Sequence, residues 1–428
     1  MGSLDKTFHD ALHDAISVKN VGTKLITRKL AEYGITLNEE QLEQLETRLV
    51  NASVGDDALT IQIDDLIPDE YDQERIVIDL DDPEELDRLL NEIKDKFTNA
   101  LPDIIAETSH GVLGHLKIDA PRMLEEHRQQ REGFEARLSQ TWGKALNLLE
   151  MLIVIALEAG DEFNQEYRPK AVEEHNLVFE VLTRLHARAC QVAQEVLILL
   201  RSGFADGAHA RWRTLHEITV VAWFIKEKGN DVAERYLLHQ HIESYKAALQ
   251  HQKYYARLGE TPFSTRELAR LKAIYDQLVD RFDKAYTKGY GWASVALGNP
   301  DPKFDNIEQA VALDHWRPYY KLASHNVHAN PKGALYRLGL DPERPPLLLA
   351  GASDAGLADP GHGAVISLSQ ITTALLTMNV NIDRLVICQV MQKLVDESGD
   401  AFITAHRKLH RPGRAFGRRR TRRWSRRV

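Results

Sequence analysis

The stretch RLHARACQVAQEVLILLRSGFADGAHARWRTLHEITVVAWFI, residues 184–225, decides the fold class of this 428-residue chain. On both sides of a short turn, apolar residues recur at steps of three and four, which places them along one face of an α-helix. Gly203 stands in the turn and suits the left-handed backbone that ends a helix. So short a connection predicts two helices that pack side by side in opposite directions.

The same spacing covers most of the remaining chain and predicts a mostly α fold, a multi-helix bundle. We expect helices over 84–108, 121–158, 170–201, 231–258, 264–287 and 365–395. Capping boxes are predicted where Asn38 precedes Gln41 and where Asp305 precedes Glu308. No fixed-period repeat is present, which argues against a solenoid.

One segment departs from the helical pattern. Between residues 56 and 87, ALTIQIDD and ERIVIDLDD alternate apolar and polar residues and predict a small acidic β-hairpin in the N-terminal helical region. The acidic residues at its end suit either a metal site or a helix start. We favour the helix start, because Asp82 is a good cap, Pro83 fits the first helical position, and acids are stabilised there by the helix dipole.

These patterns divide the chain into an N-terminal helical region (1–110), a long connecting helix (111–169), a helical bundle (170–398) and an arginine-rich tail (399–428). The composition, 43% hydrophobic and 27% charged, is that of an ordinary globular protein. Two cysteines are too few for a disulfide framework or a four-cysteine zinc site. The start resembles no signal peptide, and no run of about 18 apolar residues exists. We therefore expect a cytoplasmic protein without a membrane segment.

The charge is unevenly distributed. Nine arginines and no acid lie between Arg411 and Val428, so the preceding residues carry −18, against −9 for the whole chain. This end lacks apolar periodicity and repels itself, so we expect it to be disordered. The arginines from Arg411 to Arg427 either tether the protein to nucleic acid through phosphate contacts or form an appendage without function. Both interpretations stay open.

Arg213 and Glu217, four residues apart on one predicted helix, form the first candidate site, with His216 beside them. An arginine held by a carboxylate is oriented as a fork for a phosphate or a carboxylate ligand. The alternative is a structural ion pair on a partly buried helix.

The second candidate site is YYKLASHNVHANP, residues 319–331. On a helix, Lys321, His325 and His328 share a face, and Ser324 borders it. A cation beside two imidazoles suits phosphate-ester chemistry without a metal, because the cation stabilises developing charge and a histidine moves protons near neutral pH. The alternatives are a solvated helix end and a metal site, for which the histidine pair lacks a third ligand.

Three blocks, the opening stretch, GYGWA at 289–293 and YYKLASHNVHANP, together resemble a bacterial helical family of unknown function over roughly residues 170–395. On this resemblance, the characteristic positions of the family fall on Arg213, Glu217, Tyr290, Trp292, Ser324 and His328. Because distant segments supply these positions, we expect them to meet in the fold.

The serine-to-histidine element also resembles the helical-bundle HEPN proteins, named for higher eukaryotes and prokaryotes nucleotide-binding. Many HEPN proteins are metal-independent ribonucleases or toxins, and their motif places an arginine a few residues before a histidine. Here Arg317 stands farther from His325, and Lys321 is the nearer cation. The resemblance implies a bundle that binds a nucleotide or RNA without a metal or a cofactor. It also implies that the bundle can cleave RNA.

In this hypothesis His325 or His328 moves protons, Lys321 and Arg213 hold phosphate, and Ser324 orients a histidine or the substrate. The further candidates for phosphate or substrate binding are Glu217, His216, Tyr290, Trp292 and Arg317. The competing hypothesis is a non-catalytic interaction or scaffold protein, as a monomer or a homodimer. Its arginines and histidines form pairs between helices, and the acidic hairpin docks a partner.

Overall fold

The computed structural model of the protein describes residues 17–51, 63, 66, 83–340 and 348–409. Within these residues every regular element is a helix, so the predicted mostly α fold is confirmed. The predicted acidic hairpin and the cap at Asp82 lie outside the described residues, as do the arginines from Arg411 onward. No helix in the described part of the chain combines the length and the apolar character needed to cross a membrane.

Two compact units make up the chain, residues 1–126 and 127–428. The first contains α1 (Val18–Glu32) and α2 (Glu39–Asn51), which pack against each other. The capping box predicted at the start of α2 is confirmed. The Asn38 side chain accepts from the Gln41 N–H at 2.9 Å, and Gln41 Oε1 accepts from the Asn38 N–H at 2.8 Å.

Helix α3 (Pro83–Glu173) is longer than the sequence indicates. Its residues up to 126 belong to the first unit and the remainder to the second. The prediction of separate helices at 84–108 and 121–158 is wrong, because the helix continues through residues 109–120 and does not end near Pro102. A proline removes one backbone hydrogen bond and costs about 3 kcal/mol inside a helix. The intact bonds on either side are enough to carry the helix past it.

The second unit contains the predicted helical hairpin, formed by α4 (Leu177–Arg201) and α5 (Ala205–Lys228). Gly203 in the turn has a φ of 78°, the left-handed backbone that glycine adopts readily. A Cβ at this position would lie 2.7 Å from the Phe134 ring, so space as well as backbone requires glycine. Leu182, Ala193 and Leu200 of α4 are fully buried, as the apolar spacing predicts.

A series of mostly shorter helices follows the hairpin: α6 (Asn230–Leu258), α7 (Thr265–Phe282), α8 (Ser294–Leu297), α9 (Phe304–Ala310), α10 (Arg317–Val327) and α11 (Pro331–Leu335). Helices α9 and α10 pack against α5. The predicted cap of α9 by Asp305 and Glu308 is wrong. Asn306 Oδ1 accepts from the Lys303 N–H at 2.9 Å instead, and Glu308 is buried.

The chain ends its described part with α12 (Ala358–Leu376) and α13 (Ile382–Leu409), which replace the single helix predicted at 365–395. The start of α13 is fixed by Asn381, whose side chain accepts a hydrogen bond from the Arg384 N–H at 2.8 Å. Val380 and Ile382 are exposed, so the apolar spacing there does not mark a buried face. Helix α12 packs against α4, α5 and α13 and completes the core of the second unit.

Candidate functional site

A charged network joins α5, α9 and α10, and we call it the arginine cluster: Arg213, His216, Glu217, Glu308, Arg317 and Tyr320. Arg213 and Glu217, one turn apart on α5, form an ion pair at 3.1 Å. The Tyr320 hydroxyl of α10 donates to Glu217 Oε1 at 2.5 Å and accepts from Arg213 Nη2 at 2.8 Å. Tyr320, from a distant segment, therefore hydrogen-bonds to both members of the ion pair that the sequence predicts.

Glu308 of α9 is the most deeply buried carboxylate of the arginine cluster, with 0% of its side chain exposed. One oxygen lies 3.0 Å from His216 Nε2, and the other forms an ion pair with Arg317 Nε at 3.0 Å. Burying a charge is costly unless an opposite charge lies close to it. Glu308 thus couples His216 and Arg317, two predicted site residues on different helices.

The Tyr320 ring has both arginines of the cluster beside it. The guanidinium carbons of Arg213 and Arg317 lie 4.7 and 5.2 Å from its centroid. Burial, together with the hydrogen bond to Glu217, raises the pKa of Tyr320 well above its ordinary value. Burial likewise raises the pKa of Tyr290 to about 12. Both phenols therefore keep their protons at neutral pH, and Tyr320 donates its proton to Glu217.

Tyr290 and Trp292, the two predicted aromatic site residues, differ in their surroundings. The Tyr290 ring lies 6.1 Å from Phe304, which stacks on Tyr320, and the charges of the arginine cluster act on it. Trp292 is 4% exposed, and its ring packs edge-on against Tyr236 with centroids 5.1 Å apart. Tyr290 thus borders the arginine cluster, whereas Trp292 belongs to the core.

The four predicted catalytic residues lie on α10 or at its end: Lys321, Ser324, His325 and His328. Ser324 Oγ donates to the Tyr320 carbonyl at 2.8 Å, and His325 Nδ1 lies 2.7 Å from Asn330 Nδ2. Lys321 and His328 are exposed. In the described residues, none of the four side chains hydrogen-bonds to an arginine of the cluster. Those residues also include no group of three His, Cys, Asp or Glu side chains placed to hold a metal ion.

A cavity of about 240 Å³ lies in the same unit, and we call it the histidine cavity. Its lining includes His209, Trp212, Trp316, Tyr319, Asp359 and His362. The Trp212 ring stacks on His209 and on His216, with centroids 5.3 and 5.5 Å apart. This ring therefore forms a common wall between the histidine cavity and the arginine cluster.

Tyr320, Glu308 and His209 are not predicted as site residues from the sequence. Apolar spacing assigns Tyr320 to the hydrophobic edge of α10, and proximity to a helix start assigns Glu308 to a cap. His209 carries a usable signal: ADGAH at 205–209 and ADPGH at 358–362 each place an aspartate and a histidine in the first turns of a helix. The shared pattern marks two of the helices that line the histidine cavity.

The described residues form a helical bundle in which Tyr320 of α10 bonds to the partly exposed Arg213–Glu217 pair on α5. Within this protein, residues 179–345 match a family of unknown function (DUF5677). The match spans α5 to α11 and nearly all of α4, which together supply the whole arginine cluster. The expected resemblance to an uncharacterised domain family is thereby confirmed for this part of the chain. No curated protein and no solved structure matches the chain. The similarity to HEPN proteins stays a prediction.

Proposed function

We propose that this helical bundle binds a nucleotide or RNA through phosphate at the arginine cluster. The observation that carries the proposal is the position of two arginines beside one ring: Arg213 and Arg317 lie 4.7 and 5.2 Å from the Tyr320 centroid. Each keeps 23% of its side chain exposed, so a ligand can reach both. Guanidinium groups are planar, permanently charged donors that match the geometry of phosphate oxygens.

One donor of Arg213 has no partner in the described part of the chain. Its Nε is buried and hydrogen-bonds to no described residue, while Nη2 donates to Tyr320. A buried donor without a partner costs about 1–3 kcal/mol. A phosphate oxygen that approached beside Tyr320 would satisfy this donor. We expect such a ligand to compete with Glu217 for the guanidinium group.

The finer proposal is RNA cleavage without a metal, by residues of α10. His325 or His328 takes the proton of a ribose 2′-hydroxyl, and the resulting oxygen attacks the adjacent phosphorus. The bond to the 5′-oxygen breaks, and this oxygen receives a proton from the other histidine, which leaves a cyclic phosphate. Lys321 stabilises the charge that develops on the phosphate, and Ser324 orients a histidine or the substrate.

Incubation of the purified protein with total RNA tests this proposal, with a form lacking residues 411–428 to separate the bundle from the tail. We expect the shortened protein to retain RNA binding. Arg213→Lys keeps the charge but loses the fork, so it should bind at least about tenfold more weakly. His328→Ala should abolish cleavage and leave binding intact, and His110→Ala, exposed on α3, is its matched control.

Two outcomes would count against the proposal in different ways. Binding that disappears with the tail, or that Arg213→Lys does not weaken, contradicts phosphate recognition by the arginine cluster. Binding without cleavage, or cleavage that persists in His328→Ala, removes only the proposed role of His328 and of α10 in catalysis.

The second candidate function is that of a non-catalytic interaction protein. It is favoured by the carboxylate partners that both arginines already have, since Glu217 and Glu308 lie 3.1 and 3.0 Å from them. In this case the arginine cluster fixes α5, α9 and α10 relative to one another and recognises no ligand. RNA bound solely through the tail would favour this candidate.

A further inference from the structure

The histidine cavity is bounded by α10, which supplies Tyr319, by the short turn that carries Trp316, and by three further helices. Helix α5 supplies His209 and Trp212, α12 supplies Asp359 and His362, and α13 supplies Phe402. Its volume of about 240 Å³ exceeds the roughly 150 Å³ in which an apolar cavity holds one benzene ring. A planar molecule of one or two rings therefore fits the space.

Two glycines allow the walls of the histidine cavity to take this form. A Cβ on Gly363 would lie 2.7 Å from the indole nitrogen of Trp212, and a Cβ on Gly399 would lie 2.8 Å from His362 Nε2. Side chains at these positions would displace the indole or the imidazole. The placement of both rings therefore depends on close approach to helix backbones.

His209 is a buried polar residue of the histidine cavity whose ring has no partner among the described residues. It is 0% exposed, and both of its ring nitrogens are buried without a hydrogen bond to any described residue. Burial lowers its pKa to about 4, so the ring is neutral at physiological pH. A neutral imidazole carries one donor nitrogen and one acceptor nitrogen. The two nitrogens point in different directions, so a ligand in the cavity pairs with the one it reaches, as an acceptor for the N–H or as a donor to the bare nitrogen.

We propose that the histidine cavity binds a planar nitrogen heterocycle of the nucleobase class, with its polar edge at His209 and Asp359. Nucleobase edges carry donors and acceptors side by side, which complements a neutral imidazole. Asp359, exposed at the mouth, accepts a hydrogen bond from an amino or imino group of the base. Trp316 and Tyr319, with centroids 5.7 Å apart, offer aromatic faces for stacking.

Other classes of ligand match the histidine cavity less well. No lysine or arginine is found among its described lining residues, so an anion has no charged partner there. An organic ammonium ion suits Asp359 and the aromatic rings, but it offers donors only and leaves the His209 N–H without an acceptor. An apolar molecule satisfies neither nitrogen. A heterocycle carries donors and acceptors side by side, so it can pair with Asp359 and with whichever nitrogen of His209 it reaches.

Titration of the full-length protein with guanosine, adenosine, cytidine and uridine tests this proposal. Tryptophan fluorescence reports binding, because Trp212 and Trp316 line the cavity, and calorimetry gives the affinity. These nucleosides carry no phosphate, so the result does not depend on the arginine cluster or on the function proposed for it. We expect saturable binding of at least one nucleoside. His209→Phe and Asp359→Asn should weaken it by about tenfold to a hundredfold.

Asp280→Asn, which replaces an exposed acid on α7, is the matched control and should bind as the parent protein does. Asp359 is exposed, so its variant should fold normally and report on binding even if His209→Phe does not fold. The proposal is overturned if no nucleoside shows saturable binding or if neither variant changes the affinity. Binding of tetramethylammonium that depends on Asp359, without nucleoside binding, would identify a cation pocket instead.

Discussion

The arginine cluster and the histidine cavity meet at Trp212, yet they treat buried polar groups in opposite ways. In the cluster each arginine has an opposite charge beside it, Arg213 with Glu217 at 3.1 Å and Arg317 with Glu308 at 3.0 Å. In the cavity His209 is buried without a hydrogen-bonding partner among the described residues. Both arrangements remove polar atoms from water, but the first pairs its charges within the chain, although Arg213 Nε has no hydrogen-bonding partner among the described residues.

This difference predicts how each region contributes to stability. Removal of one member of a buried ion pair leaves the other charged and without compensation, which destabilises a protein strongly. Removal of a polar group that already lacks a partner relieves a desolvation cost. We therefore expect substitutions in the arginine cluster to lower the free energy of unfolding far more than a substitution of His209.

The largest effect is expected for Glu308→Ala. This change removes the fully buried carboxylate that His216 and Arg317 share, and Arg317 keeps only the half-exposed Asp305 at 3.4 Å. We expect the free energy of unfolding to fall by about 3–5 kcal/mol, measured by urea denaturation. Glu397→Ala, an exposed position on α13, is the control and should change stability by less than about 0.5 kcal/mol. Equal losses in the two variants would contradict a supporting role for the cluster.

A smaller effect is expected from pH. Burial lowers the pKa of His209 to about 4 from an unfolded value of 6.5, so the unfolded chain binds the proton more readily. The stability that the neutral form contributes is fully present above pH 6.5 and is lost as pH falls through 4. We expect a loss of up to about 3 kcal/mol from this residue. Burial also lowers the pKa of His186 to about 4, so the contribution of His186 to the stability of the protein is lost over the same pH range.

His209→Phe separates the contribution of His209 from those of other titrating groups. Asp359, His362 and His186 are present in both proteins, so their effects largely cancel in the difference. The stability of the variant relative to the parent should therefore rise between pH 6.5 and pH 4. Urea denaturation across this range measures the difference, and a difference that stays constant with pH would show that His209 takes up its proton in the folded protein as easily as in the unfolded chain.

The sequence predicts helices well where apolar spacing is long and regular, and less well where they break. The hairpin at 184–225 carries both the spacing and the glycine of the turn. Pro102 predicts a helix end, but α3 continues past this residue. The cap at Asn381 is hard to recognise in the sequence because Val380 and Ile382, on either side of it, extend the apolar pattern. Local apolar spacing therefore predicts that a segment is helical, whereas tertiary packing decides where a long helix ends.

The candidate site shows the same limit. The pair Arg213–Glu217 is predictable because both residues stand on one helix, one turn apart. Tyr320, which completes the pair, lies 103 residues beyond Glu217, and no sequence spacing links them. Glu308 near a helix start is read as a cap because most acids in that position are caps. Pairs between distant helices are set by which faces pack together, and this requires the fold.

The smallest effect is expected for His209→Phe at neutral pH. Phenylalanine preserves the flat ring that stacks on Trp212 at 5.3 Å and removes two buried nitrogens that have no partner in the described chain. The free energy of unfolding should stay the same or rise by up to about 1 kcal/mol, because a buried polar group without a partner is a cost to folding. Urea denaturation at pH 7.5 measures the change. A loss above about 1 kcal/mol would show that His209 has a structural partner, and the contrast between the two regions would then disappear.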